Sequence, residues 1–323
     1  YSKKLENKKL DSFVSNLISV AYYLKNKDDD NASFYLKKLK NKKQIGTIEN
    51  LLSTSLSTWI NLKNISDLKL GLNYLETIPD RFKVIKNIQE TFIHCYFDSS
   101  KTDEMFQQLT SDSDINYSRY YFFYANYLIS KNKEKKTKEV INFSVNMYPE
   151  NLILNQLKLD FEKKKIFKNV FDCKNSTDVI AEIFYITSNV LAEQKNYIAS
   201  NFYLSLAKYL NPNFVSFDLL TAENFFLIKE YEKAKKIYNE IKKKGSVYSW
   251  YASKQVASIL IKQDKKKDAI NSLNKSFEKI INPTVYEISD YANFLKTNEK
   301  YEQSIEYYSK ILSIIDKNNT LYA

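Results

Sequence analysis

Glycine and proline are nearly missing from this 323-residue chain, which has three of the first and four of the second. A sheet-rich or doubly wound fold needs a turn residue every ten positions or so, and that punctuation is not here. Arginine is equally scarce, since all but two of the 49 basic residues are lysine, the exceptions being Arg81 and Arg119. Bidentate contacts to phosphates and base edges are the work of arginine, so a surface this rich in lysine points away from specific nucleic-acid binding. The formal charge of +11 is read first as solvated lysine faces, and second as a salt-sensitive surface for polyanions or anionic lipid. One histidine, His94, and two cysteines, Cys95 and Cys173, supply neither a disulfide framework nor a metal-ligand set. The cysteines would pair only if the fold brought them together. On a helix His94 and Cys95 point about 100° apart, so His94 is read as a packing residue. No apolar run approaches the ~18 residues of a membrane helix; the most apolar, Tyr120 to Ile129, is interrupted by Asn126. Glycine-rich phosphate loops, nucleophile elbows and metal-spaced clusters are also missing, so neither catalysis nor a cofactor is predicted.

What is present is a repeat. The stretch from Asp218 to Gly245 reads as two amphipathic helices joined by the turn Lys229-Glu230. Ala222 and Phe225 share a face of the first helix, and Tyr231, Ala234, Tyr238 and Ile241 recur at steps of three and four along the second. The small residues mark where the two helices cross, with large neighbours filling the space around them. The pattern returns with Ser188 and Ser200, with Ala257 and Ala269, and with Ala292 and Ser304. The second-helix small residues at 200, 234, 269 and 304 are separated by steps of 34, 35 and 35 residues. One such hairpin cannot bury its own apolar face, so the copies must stack. With 26 tyrosines in the chain, tyrosine is expected to take core positions usually given to leucine.

Upstream the same grammar is looser. Hairpins are predicted over 13–39 with Ala32 at the crossing, over 51–78 with Trp59 in the core, over 82–109, and over 116–148. Prolines at 79, 149, 212 and 283 fall close to two repeats apart, as boundary markers would. YANYL at 124–128 and YANFL at 291–295 give distant first helices nearly one signature. From 165 to 178 the period slips through a polar, irregular stretch. The organisation expected is an N-terminal block of degenerate hairpins over 1–150, an irregular bridge with one helix over 151–180, and a regular repeat block over 181–323. Leu321, Tyr322 and Ala323 look like the opening of a further helix, and the sequence reads as a fragment.

The phased small residues and the 34-residue step resemble the tetratricopeptide repeat, with alanine or serine where that family often has glycine. The resemblance implies an all-α, right-handed superhelical solenoid that acts as a scaffold, binding a peptide or a partner protein along its concave face. In the family, residues just after the first-helix small residue tend to face that groove, which implies Asn126, Asn189, Glu223, Ser258 and Asn293 here. Tyr185 and Lys254 fall one turn earlier, and Arg119 and Tyr286 two turns earlier, adding charge and aromatic surface. A row of amides can hydrogen-bond the backbone of an extended peptide without reading its side chains. The Lys/Asn/Arg set that clamps chaperone tails in some relatives is not reproduced. The run STDVIAEIFYITSNVLAEQ at 176–194 also resembles a group of long alphaproteobacterial tetratricopeptide-repeat proteins. That resemblance implies a periplasmic or membrane-associated assembly factor, whereas the residues alone would leave the chain in the cytoplasm.

Overall fold

The computed structural model describes residues 11–40, 46–111, 116–163 and 170–315, and among these the regular structure is entirely helical. Residues 165–169 and 316–323, on which part of the bridge and the terminal-helix expectation fall, lie outside the described residues. The helices are α1 (Phe13–Lys25), α2 (Asp29–Lys40), α3 (Thr47–Asn61), α4 (Leu68–Asn73), α5 (Lys83–Tyr96), α6 (Thr102–Ser111), α7 (Ser118–Ser130), α8 (Glu134–Met147) and α9 (Leu152–Glu162). There follow α10 (Ser176–Glu193), α11 (Tyr197–Leu210), α12 (Val215–Leu227), α13 (Tyr231–Ile241), α14 (Ser246–Lys262), α15 (Lys266–Phe277), α16 (Val285–Thr297) and α17 (Tyr301–Ile314). Residues 67–78, expected as one helix, instead form short α4 and a 3-10 segment, Tyr74–Thr77, ahead of Pro79. The residue before a proline is pushed out of the helical region, and Ile78 is extended.

Seven hairpin turns are built the same way, the one between α3 and α4 passing instead through a 3-10 segment, Leu62–Asn64. Lys27, Asp98, Asn132, Lys195, Lys229, Asp264 and Glu299 all take a left-handed backbone, with φ between 51° and 65°. The amide after each one donates back into the last turn of the preceding helix, as Glu230 does to the Phe225 carbonyl at 2.8 Å and Lys300 does to that of Leu295 at 2.9 Å. This closes the helix C-terminus without glycine, and a side chain in that conformation costs on the order of 1 kcal/mol. Lys229→Gly is therefore expected to stabilise its hairpin by about 0.5–1 kcal/mol, after allowing for the greater freedom of glycine in the unfolded chain. A urea titration read on Trp250 in a Trp59→Phe background checks this.

The small crossing residues Ala32, Ser188, Ser200, Ala222, Ala234, Ala257, Ala269, Ala292 and Ser304 are all buried. Some also bond across the crossing, since the Ser304 hydroxyl donates to the Ala292 carbonyl at 2.9 Å.

The chain divides into two compact units, residues 1–224 and 225–323, with the division inside α12. This differs from the partition at 150 and 180 that repeat phasing suggests. In the first unit α1 packs on α2, α2 on α3, α3 on α10, α10 on α11, and α11 back on α1, so five helices form a closed ring of neighbours. The hairpin of α10 and α11 continues the repeat in sequence but is packed against the N-terminal helices. Lys25 ties the ring, its ammonium donating to the Leu210 carbonyl at 2.9 Å. From α5 to α9 each helix packs on its successor, as in a stacked array. Within the second unit α13 packs on α14, α14 on α15 and α16 on α17, while Phe277 stacks on Tyr291 with ring centroids 4.2 Å apart.

Candidate functional site

The nine sequence-predicted positions fall into two environments. In the first unit, α7 and α10 turn Arg119 and Glu182 toward each other. Arg119 Nε donates to Glu182 Oε1 at 2.7 Å and Nη2 to Oε2 at 2.5 Å, a bidentate pair. The Glu182 side chain is 1% exposed and that of Arg119 11%. The guanidinium carbon sits 3.8 Å from the Tyr185 ring centroid and 4.2 Å from that of Phe214, so aromatic faces cover the charge. Burial opposes that charge, yet the Glu182 carboxylate outweighs it and holds the guanidinium above its ordinary value. Asn126 is also buried, its amide donating to the Phe122 carbonyl at 2.7 Å. Arg119 and Asn126 thus turn their polar groups into the fold, where Arg119 Nη1 has no hydrogen-bond partner in the protein. Tyr185 is half-buried beneath Arg119, Asn189 is half-buried with its amide on the Tyr185 carbonyl at 3.1 Å, and Glu223 is exposed on α12.

The interior these residues reach is filled by the chain itself. Phe171, from the stretch between α9 and α10, packs 4.1 Å from the ring of Phe123 and 5.0 Å from that of Phe92. Phe214, from the stretch between α11 and α12, stacks on Phe122 at 5.5 Å. Cys95 and Cys173 form a disulfide, with Cα atoms 6.0 Å apart across 78 residues of sequence. His94 is buried with Nδ1 3.0 Å from the Ser99 hydroxyl, and burial lowers its pKa.

Asp178 opens α10, where its carboxylate accepts from the Asp172 amide at 3.0 Å. Burial pushes its pKa up to about 6, against the pull of that amide. A carboxyl raised in the fold contributes stability that is complete below its unfolded pKa near 4 and is lost as pH rises through about 6. Asp178→Asn should therefore remove up to about 2 kcal/mol of stability loss between pH 4 and pH 7. Parallel denaturation of both forms across that range reads the difference.

The second unit presents the other four positions on its first helices. Trp250, Lys254 and Ser258 lie four residues apart along α14, and Tyr286, Asp290 and Asn293 lie along one face of α16. Asp290 joins the two stripes, accepting from Trp250 Nε1 at 3.2 Å and pairing with the Lys254 ammonium. Asn293 is exposed and accepts from the Tyr308 hydroxyl at 2.7 Å, while Tyr286 is 56% exposed. Lys254 and Ser258 are half-buried between these rows. The face is polar and aromatic, with its lysine charge balanced by Asp290.

Glu182 and Asp290 are the residues that sequence reasoning missed. Both are first-helix acids, 63 and 36 residues from their basic partners, close to two repeats and one. Complementary charge at a whole number of repeats was the available sign. Among the described residues no group of three or more His, Cys, Asp or Glu is placed to hold a metal, and no helix is long and apolar enough to cross a membrane.

No protein-family model matches the chain, and no curated protein does. Among solved structures it is similar to a tetratricopeptide repeat protein from Parabacteroides merdae, at 11% identity and a TM-score of 0.32, over 74% of this chain and 96% of that one. It is also similar to MamA MSR-1 C2, at 10% identity and a TM-score of 0.25, over 61% and 95%. A third is the Naa15/Naa10 complex bound to HypK-THB, at 14% identity and a TM-score of 0.30, over 97% and 56%. The fold assignment rests on the hairpins themselves, with left-handed turn residues at 195, 229, 264 and 299 and buried small residues at 200, 234, 269 and 304. The fold is tetratricopeptide-like. In such hairpins α14 and α16 are the first helices of successive repeats, and the four second-unit candidates all lie on them.

Proposed function

We propose that the chain is a non-catalytic protein-interaction scaffold, and that its second unit binds an extended peptide segment of a partner across α14 and α16. The observation that carries this reading is the row of Lys254, Ser258, Tyr286 and Asn293 on two helices that the Lys254–Asp290 pair joins, open to solvent at Tyr286 and Asn293. Pairing with Asp290 leaves Lys254 able to donate without making the face strongly cationic. Tyr286 supplies a flat surface for an apolar or aromatic side chain, and the amide of Asn293 suits a peptide backbone. The arrangement favours recognition of main chain with modest side-chain selectivity.

Panning a random peptide library against the full chain tests the reading. Selected peptides are expected to hold their affinity within about threefold between 0.1 and 0.5 M salt, because neutral contacts are little screened. They should lose at least tenfold against a Tyr286→Ala/Asn293→Ala variant, a cost of about 1.4 kcal/mol. Recovery of polyanions alone, with affinity falling steeply as salt rises and equal for both forms, would move the function to the lysine surface.

A further inference from the structure

The segment between α9 and α10 is rich in lysine and contains the apolar residues Ile166, Phe167, Val170, Phe171 and Cys173. It nevertheless crosses the first helices of two hairpins in the first unit. Phe171 is buried against Phe92 of α5 and Phe123 of α7, and Cys173 is bonded to Cys95 of α5. The Val170 carbonyl accepts from Asn211 at 2.7 Å, the Asp172 amide donates to Asp178, and the Lys174 ammonium pairs with Asp98, which also holds Lys131. Beneath the segment lies a hollow of about 20 Å³, room for a single water, lined in part by Asn126 and Tyr127. Residues 172–175 close a turn, in which the Asn175 amide donates to the Asp172 carbonyl at 2.9 Å, an aromatic side chain is the deepest anchor, and the acceptor is the face of first helices.

We propose that residues 170–175 are a strap that occupies the inner face of the first unit as a built-in ligand, latched by Cys95–Cys173, and that reduction releases it. The vacated face then accepts a peptide that presents an aromatic side chain just ahead of a turn. This inference is independent of the second-unit site. Apart from the disulfide the strap is held across the face by the Phe171 ring, by half-buried Val170, by the hydrogen bonds at the Val170 carbonyl and the Asp172 amide, and by an ion pair whose side chains are 51% and 40% exposed, while Asn175 caps α10. Release is a two-electron thiol–disulfide exchange with a dithiol reductant. A reductant thiolate attacks Cys173 Sγ, since that residue is 8% exposed against 1% for Cys95. The S–S bond breaks and Cys95 leaves as thiolate, taking up a proton. The reductant's second thiol then displaces Cys173, which is protonated in turn, and the reductant departs as its own disulfide.

The test uses the full chain and a fluorescein-labelled peptide copying residues 170–178 with Cys173→Ser, alongside the same peptide carrying Phe171→Ala. Oxidised chain, chain reduced with dithiothreitol, and a Cys95→Ser/Cys173→Ser variant are titrated by fluorescence anisotropy. Reduced chain and the double variant are expected to bind the first peptide at least tenfold more tightly than oxidised chain, and to bind the Phe171→Ala peptide no better than oxidised chain does. Hydrogen exchange on the reduced chain should rise at least tenfold in 170–175 while helix content by circular dichroism stays constant. Equal or absent binding in both redox states overturns the proposal. Loss of helix content on reduction also overturns it, because the disulfide is then a staple of the fold. Reducing the natural sequence keeps the test decisive if the double variant does not fold.

Discussion

Glu182→Gln is expected to destabilise the first unit by about 3–5 kcal/mol, among the largest effects of any conservative change in the chain. The glutamine keeps an acceptor but loses the charge, leaving the Arg119 guanidinium buried beneath Tyr185 and Phe214 with no counter-ion. The pair itself adds far less than its rupture costs, because two ions had to be taken from water to make it. Arg119→Met together with Glu182→Leu should therefore recover most of the loss, as apolar replacements of buried pairs often do. Urea denaturation read on Trp59 in a Trp250→Phe background measures both. A Glu182→Gln cost below about 1 kcal/mol would mean that the pair is solvated like a surface bridge.

Trp59→Ala should cost a similar amount, about 3–5 kcal/mol, through the cavity left by a fully buried indole. Trp59 Nε1 donates to Gln89 Oε1 at 3.1 Å, and the Gln89 amide donates on to the Ser55 hydroxyl at 3.0 Å, all within the core. Trp59→Phe separates the two contributions. It keeps most of the volume but leaves the Gln89 oxygen without its donor, for an expected loss of about 1–3 kcal/mol. Thermal melts by circular dichroism rank the three forms, and an equal loss for Ala and Phe would place the whole effect in the hydrogen bond.

Repetition made much of this fold legible in the sequence. Ala222, Ala234, Ala257 and Ala269 announce helix crossings because close approach of two backbones tolerates nothing larger, and a fixed step between them dictates stacked hairpins. The turn conformation at Lys229 and Asp264 was hidden, since glycine is its usual marker and the chain uses lysine, aspartate, asparagine or glutamate instead. Closure of α1, α2, α3, α10 and α11 into a ring was hidden for a different reason. Periodicity tells which face of a helix is buried but not which distant helix covers it.

The candidate site shows the same limit. The spacing that selects Asn126 and Asn293 is one rule, yet Asn126 lies under the strap and Asn293 in solvent. What separates them is Phe171, one of several apolar residues in a lysine-rich stretch, and a cysteine pair 78 residues apart. Phe171 was the available clue. An aromatic within a lysine-rich segment needs a burial site, and the nearest is the face that segment crosses.

Hydrogen exchange on the chain with a selected, salt-resistant peptide bound tests the central claim most directly. The account predicts new protection in α14 and α16, centred on Lys254 to Ser258 and Tyr286 to Asn293, with the second helices α13, α15 and α17 unchanged. Protection confined to those lysine-bearing second helices, or none in the second unit, would contradict it.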